Sequence, residues 1–282
     1  MNTEVVTANT ESVTGKITRL TEWFRAHQPC TIATSGGIDS MLLAFVASQI
    51  DDGEFMVVHS TSAAVPSADA QRVADYARRY HWNLKIITSN EIENSDYKAN
   101  PVNRCYYCKS SLFEKMTGLD AGHLVTGTNL DDLGDYRPGL IAARENNVLQ
   151  PYVELEIDKR MIRQIASHFG LDDLKDLPAS PCLASRIETG IAIKAQDLQV
   201  VDNVETFIKQ QLNTDVVRFR IRHQQHEIQL SPAVCQNLDE QKKLALIDGV
   251  TRLLTPALAR LPVTVTSYKQ GSAFVGVKNV GG

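Results

Sequence analysis

Apolar residues along this chain first gather at helical spacing, at Ile17, Leu20, Trp23 and Phe24, which predicts a helix behind a polar amino-terminal tail. From residue 30 the rhythm alternates. Short apolar runs at 30–34, 54–60, 84–88 and 123–127 predict strands, and stretches at 40–50, 68–81 and 106–116 predict the helices between them. On the 68–81 stretch Val73, Tyr76, Ala77 and Tyr80 fall on one face. Regular strand–helix succession means βαβ units: an α/β domain with a parallel sheet covered on both faces, its ligands bound beyond the carboxyl ends of the strands. A helix over 159–169 closes at Gly170, and 177–186, with two prolines and small residues, reads as a loop.

Beyond this the pattern changes. A helix at 196–212 precedes 216–222 and 226–230, which alternate like antiparallel strands; a helix at 240–254 precedes two further strands, at 263–268 and 273–278. The chain therefore divides into a tail and helix (1–28), an α/β domain (29–186) and a smaller α+β domain (187–282).

Composition narrows the class. Of 282 residues, 43% are hydrophobic and 22% charged, as in globular domains, which excludes disorder and coiled coil. The longest apolar run, 41–47, falls far short of the ~20 residues that span a bilayer, so no membrane partner is expected. Lys plus Arg is 29 against 33 Asp plus Glu, a net charge of −4, which speaks against nucleic acid as a partner. Five cysteines behind a polar, acidic amino terminus point to a cytoplasmic, reducing setting with thiols free for chemistry or metal.

The strongest local signal is Ser35-Gly36-Gly37-Ile38-Asp39-Ser40, between the first strand and its helix. Two glycines let the backbone approach a ligand closely, the helix amides form an anion site, and the hydroxyls of Ser35 and Ser40 add donors. Asp39 amid phosphate donors makes sense as a ligand of Mg²⁺. A plain Gly-Gly turn with a serine cap fits the same residues. No Gly-Lys-Ser/Thr follows, so the loop is not a Walker A. The hexapeptide resembles the PP-loop of ATP pyrophosphatases, the adenine nucleotide alpha hydrolase-like fold, whose members attack the α-phosphorus of ATP and release pyrophosphate. By that resemblance Ser60, ending the second strand, lies near the adenine, and Gly127, ending the fourth, floors the nucleotide pocket.

Cys105 and Cys108 open a helix as CxxC, and Cys182 lies in the proline-rich loop. Three thiolates suit an iron–sulfur cluster with one iron left open; a zinc site would want a fourth ligand, and small buried cysteines are the bland alternative, which suits Cys30 and Cys235 best. The run from Gly127 to Leu140, GTNLDDLGDYRPGL, sets Asp131 and further acids at the active edge of the sheet, where they bind Mg²⁺ and phosphates or simply cap a solvated loop. Arg218, Arg220 and Arg222 alternate along one strand and so share a face, either a basic stripe for a mononucleotide phosphate or the charged face of an edge strand.

Taken in order, SGGIDS, NRCYYCK, GTNLDDLGDYRPGL and SPCLASRI look like the LarE family of ATP-dependent sulfur transferases. The resemblance implies adenylation of the carboxylates of pyridinium-3,5-dicarboxylic acid mononucleotide and their conversion to thiocarboxylates, as the ligand of a nickel cofactor. It further implies Mg-ATP at the phosphate loop and Cys105, Cys108 and Cys182 around a [4Fe-4S] cluster fed by a sulfide source. Ser185, Arg186 and Glu205 become active-site residues, Arg218 and Arg220 the substrate-phosphate pocket, and the chain a homo-oligomer. Gln229 stands where an acid of the family is expected. Two alternatives remain: Cys182 giving up its own sulfur, and a PP-loop enzyme that thiolates tRNA.

Overall fold

The computed structural model describes residues 11–134 and 138–268; the strand expected at 273–278 and Asp135, Tyr136 and Arg137 of the acidic run lie outside them. Helix α1 (Val13–His27) leads into β1 (Cys30–Ala33), α2 (Ile38–Ser48), β2 (Phe55–Ser60), α3 (Ser67–Arg79) and β3 (Leu84–Ile87). A short α4 (Ser95–Lys98) and α5 (Arg104–Thr117) precede β4 (His123–Thr126), and α6 (Pro138–Glu145), α7 (Pro151–Glu154), α8 (Lys159–His168) and α9 (Asp172–Lys175) follow.

Strands β1 to β4 form one parallel sheet in the order β3-β2-β1-β4. Successive side chains face opposite sides. Ile32, Val57 and Val125 join Leu20 and Phe24 of α1, Leu42 of α2, Val73 of α3 and Ile165 of α8 in one apolar cluster. Ala33, Val58 and Leu124 join Phe113 and Met116 of α5 and Ala142 and Ala143 of α6 in another. Helices cover both faces, as the alternation predicts. Cys30 belongs wholly to this packing: its thiol donates to the His27 carbonyl at 3.1 Å, and burial pushes it up to about 12.

The strand order fixes the crevice. From β1 the chain builds outward through β2 and β3, then returns to place β4 on the other side of β1, and the loops after β1 and β4 part at this reversal. Gly127, just past β4, lies against the start of α2, where an added Cβ would sit 2.8 Å from Asp39 C and Ser40 N. Helix α6 is not foreseen by the sequence pattern, because aspartate, glycine and proline around it read as loop. Pro138 opens it, where a missing N–H costs no helical bond.

The carboxyl-terminal half contains α10 (Ala195–Leu212), β5 (Val217–Ile221), β6 (His226–Leu230), α11 (Pro232–Gln236), α12 (Glu240–Thr251) and β7 (Val263–Ser267). β5 pairs antiparallel with β6, as alternation suggests, while β7 runs parallel to β6. Val217, Phe219 and Ile221 pack on Val204 and Ile208 of α10 and Val250 of α12. Leu183, Ala184, Ala64 and Tyr97, which precede this half in the chain, belong to the same cluster.

Candidate active site

The phosphate loop is held in shape by its own serines. Ser35 N–H donates to Ser40 Oγ at 3.0 Å, the two hydroxyls lie 3.1 Å apart, and Ser40 Oγ donates to the Gly37 carbonyl at 3.2 Å. Gly36 takes φ +89°, which an L side chain rarely adopts, and Gly37 stands at the N-cap of α2 without a side chain to cap it. The first amides of an 11-residue helix thus face the crevice between β1 and β4. Ser60 Oγ, at the end of β2, donates to Ser89 Oγ at 2.9 Å, and Ser89 in turn to the buried Glu91.

Asp39 has a partner the sequence did not reveal. Lys159, the first residue of α8, places Nζ 2.6 Å from both Asp39 oxygens, while its backbone N–H donates to Asp131 Oδ2 at 2.8 Å. Burial pushes the Asp39 carboxyl up and Lys159 works against it. A lysine absent from the loop itself is therefore supplied from 120 residues away, its side chain on Asp39 and its backbone on Asp131.

Cys105 and Cys108 lie one turn apart at the start of α5 and Cys182 in the loop before a 3-10 turn at Leu183–Arg186; all three are outside any disulfide, neither fully buried nor fully exposed. Burial first, then charge on Cys182 and lastly on Cys105, push the Cys108 thiol up to about 12. Tyr97 reaches the same region from α4. It is 2% exposed, burial and the Cys182 and Cys108 charges push its hydroxyl well above its ordinary value, and that hydroxyl has no hydrogen-bond partner among the described residues. Also among the described residues, no group of three or more His, Cys, Asp or Glu side chains is set round a point where a metal ion would bind. As a donor set, three sulfurs outside any disulfide, two of them charged neighbours that oppose the ionisation of Cys108, fit a soft, positively charged group.

Arg186 and Glu205 form a buried, two-pronged ion pair: Nε to Oε1 at 2.9 Å and Nη2 to Oε2 at 3.0 Å. Arg186 Nη1 also donates to the Pro181 carbonyl at 2.6 Å and Ser185 Oγ at 3.0 Å, and Glu205 accepts the Phe219 N–H at 2.8 Å. The pair therefore ties the Cys182 loop to α10 and β5. Arg218 and Arg220 are not a solvated edge: they are 6% and 5% exposed, with Arg218 Nη2 on the Ala179 carbonyl at 2.6 Å and Arg220 Nη1 on the Ser185 carbonyl at 3.0 Å. Burial, then Arg222 and Arg186, push Arg220 down to about 10, and burial, then Arg186, lower Arg218. Gln229 accepts from Arg220 Nε at 2.6 Å and donates to Glu227, which also pairs with Arg222 at 3.0 Å. A cavity of about 150 Å³ lies between Arg186, Glu205, Lys209, Arg218 and Ser180.

A parallel sheet with a Gly-Gly loop at its reversal point, and a thiol-bearing loop locked against a basic strand, define an α/β protein with one composite site drawn from both halves of the chain. No family model matches the chain. It is 35% identical over 236 residues to the uncharacterized protein slr1717 of Synechocystis sp., covering 81% of this chain and 86% of that one. It is 32% identical over 182 residues to the uncharacterized protein MJ0830 of Methanocaldococcus jannaschii, covering 63% and 68%. The chain belongs to the family of these two proteins. A more distant relative, 25% identical over 211 residues (73% of this chain and 76% of that one), is the pyridinium-3,5-bisthiocarboxylic acid mononucleotide synthase of Lactiplantibacillus plantarum.

Proposed function

We propose that this chain is an ATP-dependent sulfur transferase acting on the carboxylates of a pyridinium mononucleotide. The observation that carries the reading is the placement of three cysteines outside any disulfide, Cys105, Cys108 and Cys182, in a chain distantly related to a bisthiocarboxylate synthase, with the Cys182 loop bonded to Arg186 and Arg220. A carboxylate oxygen attacks the α-phosphorus of ATP and pyrophosphate leaves; sulfur then attacks the activated carbonyl and AMP leaves. The amides around Gly36 and Gly37 and the start of α2 hold the departing phosphates, and Ser60 and Gly127 border the nucleotide. Lys159 turns its ammonium to those phosphates, which frees Asp39, with Asp131, for Mg²⁺. Arg218 and Arg220 hold the substrate phosphate, whose charge relieves the crowding that depresses their own protonation. Cys105, Cys108 and Cys182 would hold a [4Fe-4S] cluster, which would supply sulfide as the sulfur donor.

The test is iron and acid-labile sulfide content after anaerobic reconstitution, with pyrophosphate release measured on the same samples. Near-stoichiometric cluster in the wild type, lost in Cys105→Ala, Cys108→Ala and Cys182→Ala while pyrophosphate release persists, is the expected result. No iron in the wild type would move the donor role to the Cys182 sulfur itself, and turnover would then leave the chain lighter by one hydrogen sulfide. Lys159→Met should weaken ATP binding by about one to two orders of magnitude, the worth of a charge-assisted hydrogen bond, as read by calorimetry.

A further inference from the structure

The phosphate loop and the Cys182 loop are bridged by one buried carboxylate. Asp69, in the first turn of α3, is 3% exposed. Its Oδ1 accepts from Arg72 Nη1 at 2.6 Å, and the same nitrogen donates to the Gly36 carbonyl at 2.7 Å. Its Oδ2 accepts from Ser180 Oγ at 2.7 Å, two residues before Cys182. Gly36 lies so close that an added Cβ would meet the Asp69 Cβ and carbonyl oxygen at 2.7 Å. The segment leading into α3 makes two further ties to the far side: Leu183 N–H donates to the Ala64 carbonyl at 2.8 Å, and Ser67 N–H to the Asp202 carboxylate at 3.3 Å.

We propose that Asp69 is a positioning residue that clamps the sulfur-donor loop to the phosphate loop, with Ser180 on one carboxylate oxygen and Arg72, bound to Gly36, on the other. The inference takes the Cys182 loop as the donor loop and so rests on the reading above. Two reactions in sequence on one substrate need their groups at a fixed separation, since an error of about 1 Å in such placement costs roughly a hundredfold in rate. A carboxylate suits the task because it accepts from both sides at once and each bond is charge-assisted.

Ser180→Ala removes one arm at an exposed position without disturbing the core, and Asp69→Asn weakens both arms. Amide hydrogen exchange of the full chain, read by mass spectrometry, should be about tenfold faster over residues 177–186 in either variant, with residues 104–117 unchanged. Ser180→Thr, which keeps the hydroxyl, should exchange as the wild type does. Over residues 177–186 the double variant should be no faster than Ser180→Ala alone, since Asp69 reaches that segment through the Ser180 bond. In turnover of Ser180→Ala, pyrophosphate release should stay within about twofold of wild type while thiocarboxylate formation falls about tenfold or more. Wild-type exchange in Ser180→Ala, or equal losses in both half-reactions, would overturn the proposal. A wild type that forms no thiocarboxylate would overturn the sulfur-transfer reading instead, and the exchange comparison would still decide whether Asp69 holds the loop.

Discussion

Glu205→Ala is expected to cost about 3–5 kcal/mol of folding stability, the range found when one member of a buried ion pair is removed. Burial alone would pull the Arg186 guanidinium down, and Glu205 more than reverses this. Without Glu205 the cation stays buried, and the Phe219 N–H loses its acceptor as well. Arg186 cannot turn to water, because its remaining prong is bound to the Pro181 carbonyl. The urea midpoint should fall accordingly, and Arg186→Met in the Glu205→Ala background should recover much of the loss by removing the stranded charge. If Glu205→Ala unfolds at the wild-type midpoint, the pair is not holding the Cys182 loop.

Gly127→Ala should weaken ATP binding about tenfold or more while leaving the chain folded. The added methyl would meet main-chain atoms, Asp39 C and Ser40 N at 2.8 Å, which cannot swing away as a side chain can. Either β4 or the start of α2 must shift, at the 1–3 kcal/mol typical of overpacking, and the start of α2 carries the amides proposed to hold phosphate. Gly118→Ala is the control: its Cβ would come no nearer than 3.5 Å to another atom, and affinity should not change. Equal ATP affinity in the two variants would remove Gly127 from the nucleotide pocket.

Much of the architecture is legible in the sequence because its signals are local. Strands β1 to β4 and helices α2, α3 and α5 follow from apolar spacing, with ends displaced by a few residues. The helix foreseen over 68–81, for example, stops at Arg79, and His81 takes φ 55°. The direction of β7 is not legible, since the helical connection from β6 is long enough to bring the chain back in either direction. Within the candidate site, the Ser35–Ser40 loop is visible because its residues are contiguous. Lys159 and Asp69 are not, because each meets its partner across the chain: Lys159 lies 120 positions from Asp39, and Asp69 lies 111 from Ser180. Tyr97 lies in a polar stretch with no periodicity to single it out, and only the fold shows its hydroxyl buried and without a partner among the described residues. The arginines of β5 have an ambiguous pattern, which burial resolves by placing them under the loop that carries Cys182.

The apolar cluster under β5 and α10 also draws in Leu183, Ala184, Ala64 and Tyr97. This bears on how such a chain can be recombined with its relatives. A crossover between residues 186 and 187 would hand the Cys182 loop a foreign floor: Leu183 and Ala184 would pack on α10 and β5 side chains that had not changed with them. Hybrids joined there should express poorly, whereas those that exchange residues 61–69, 92–108 and 180–268 together would keep the members of this cluster together. The unit that must be exchanged whole is thus a set of separated segments rather than the carboxyl-terminal half alone.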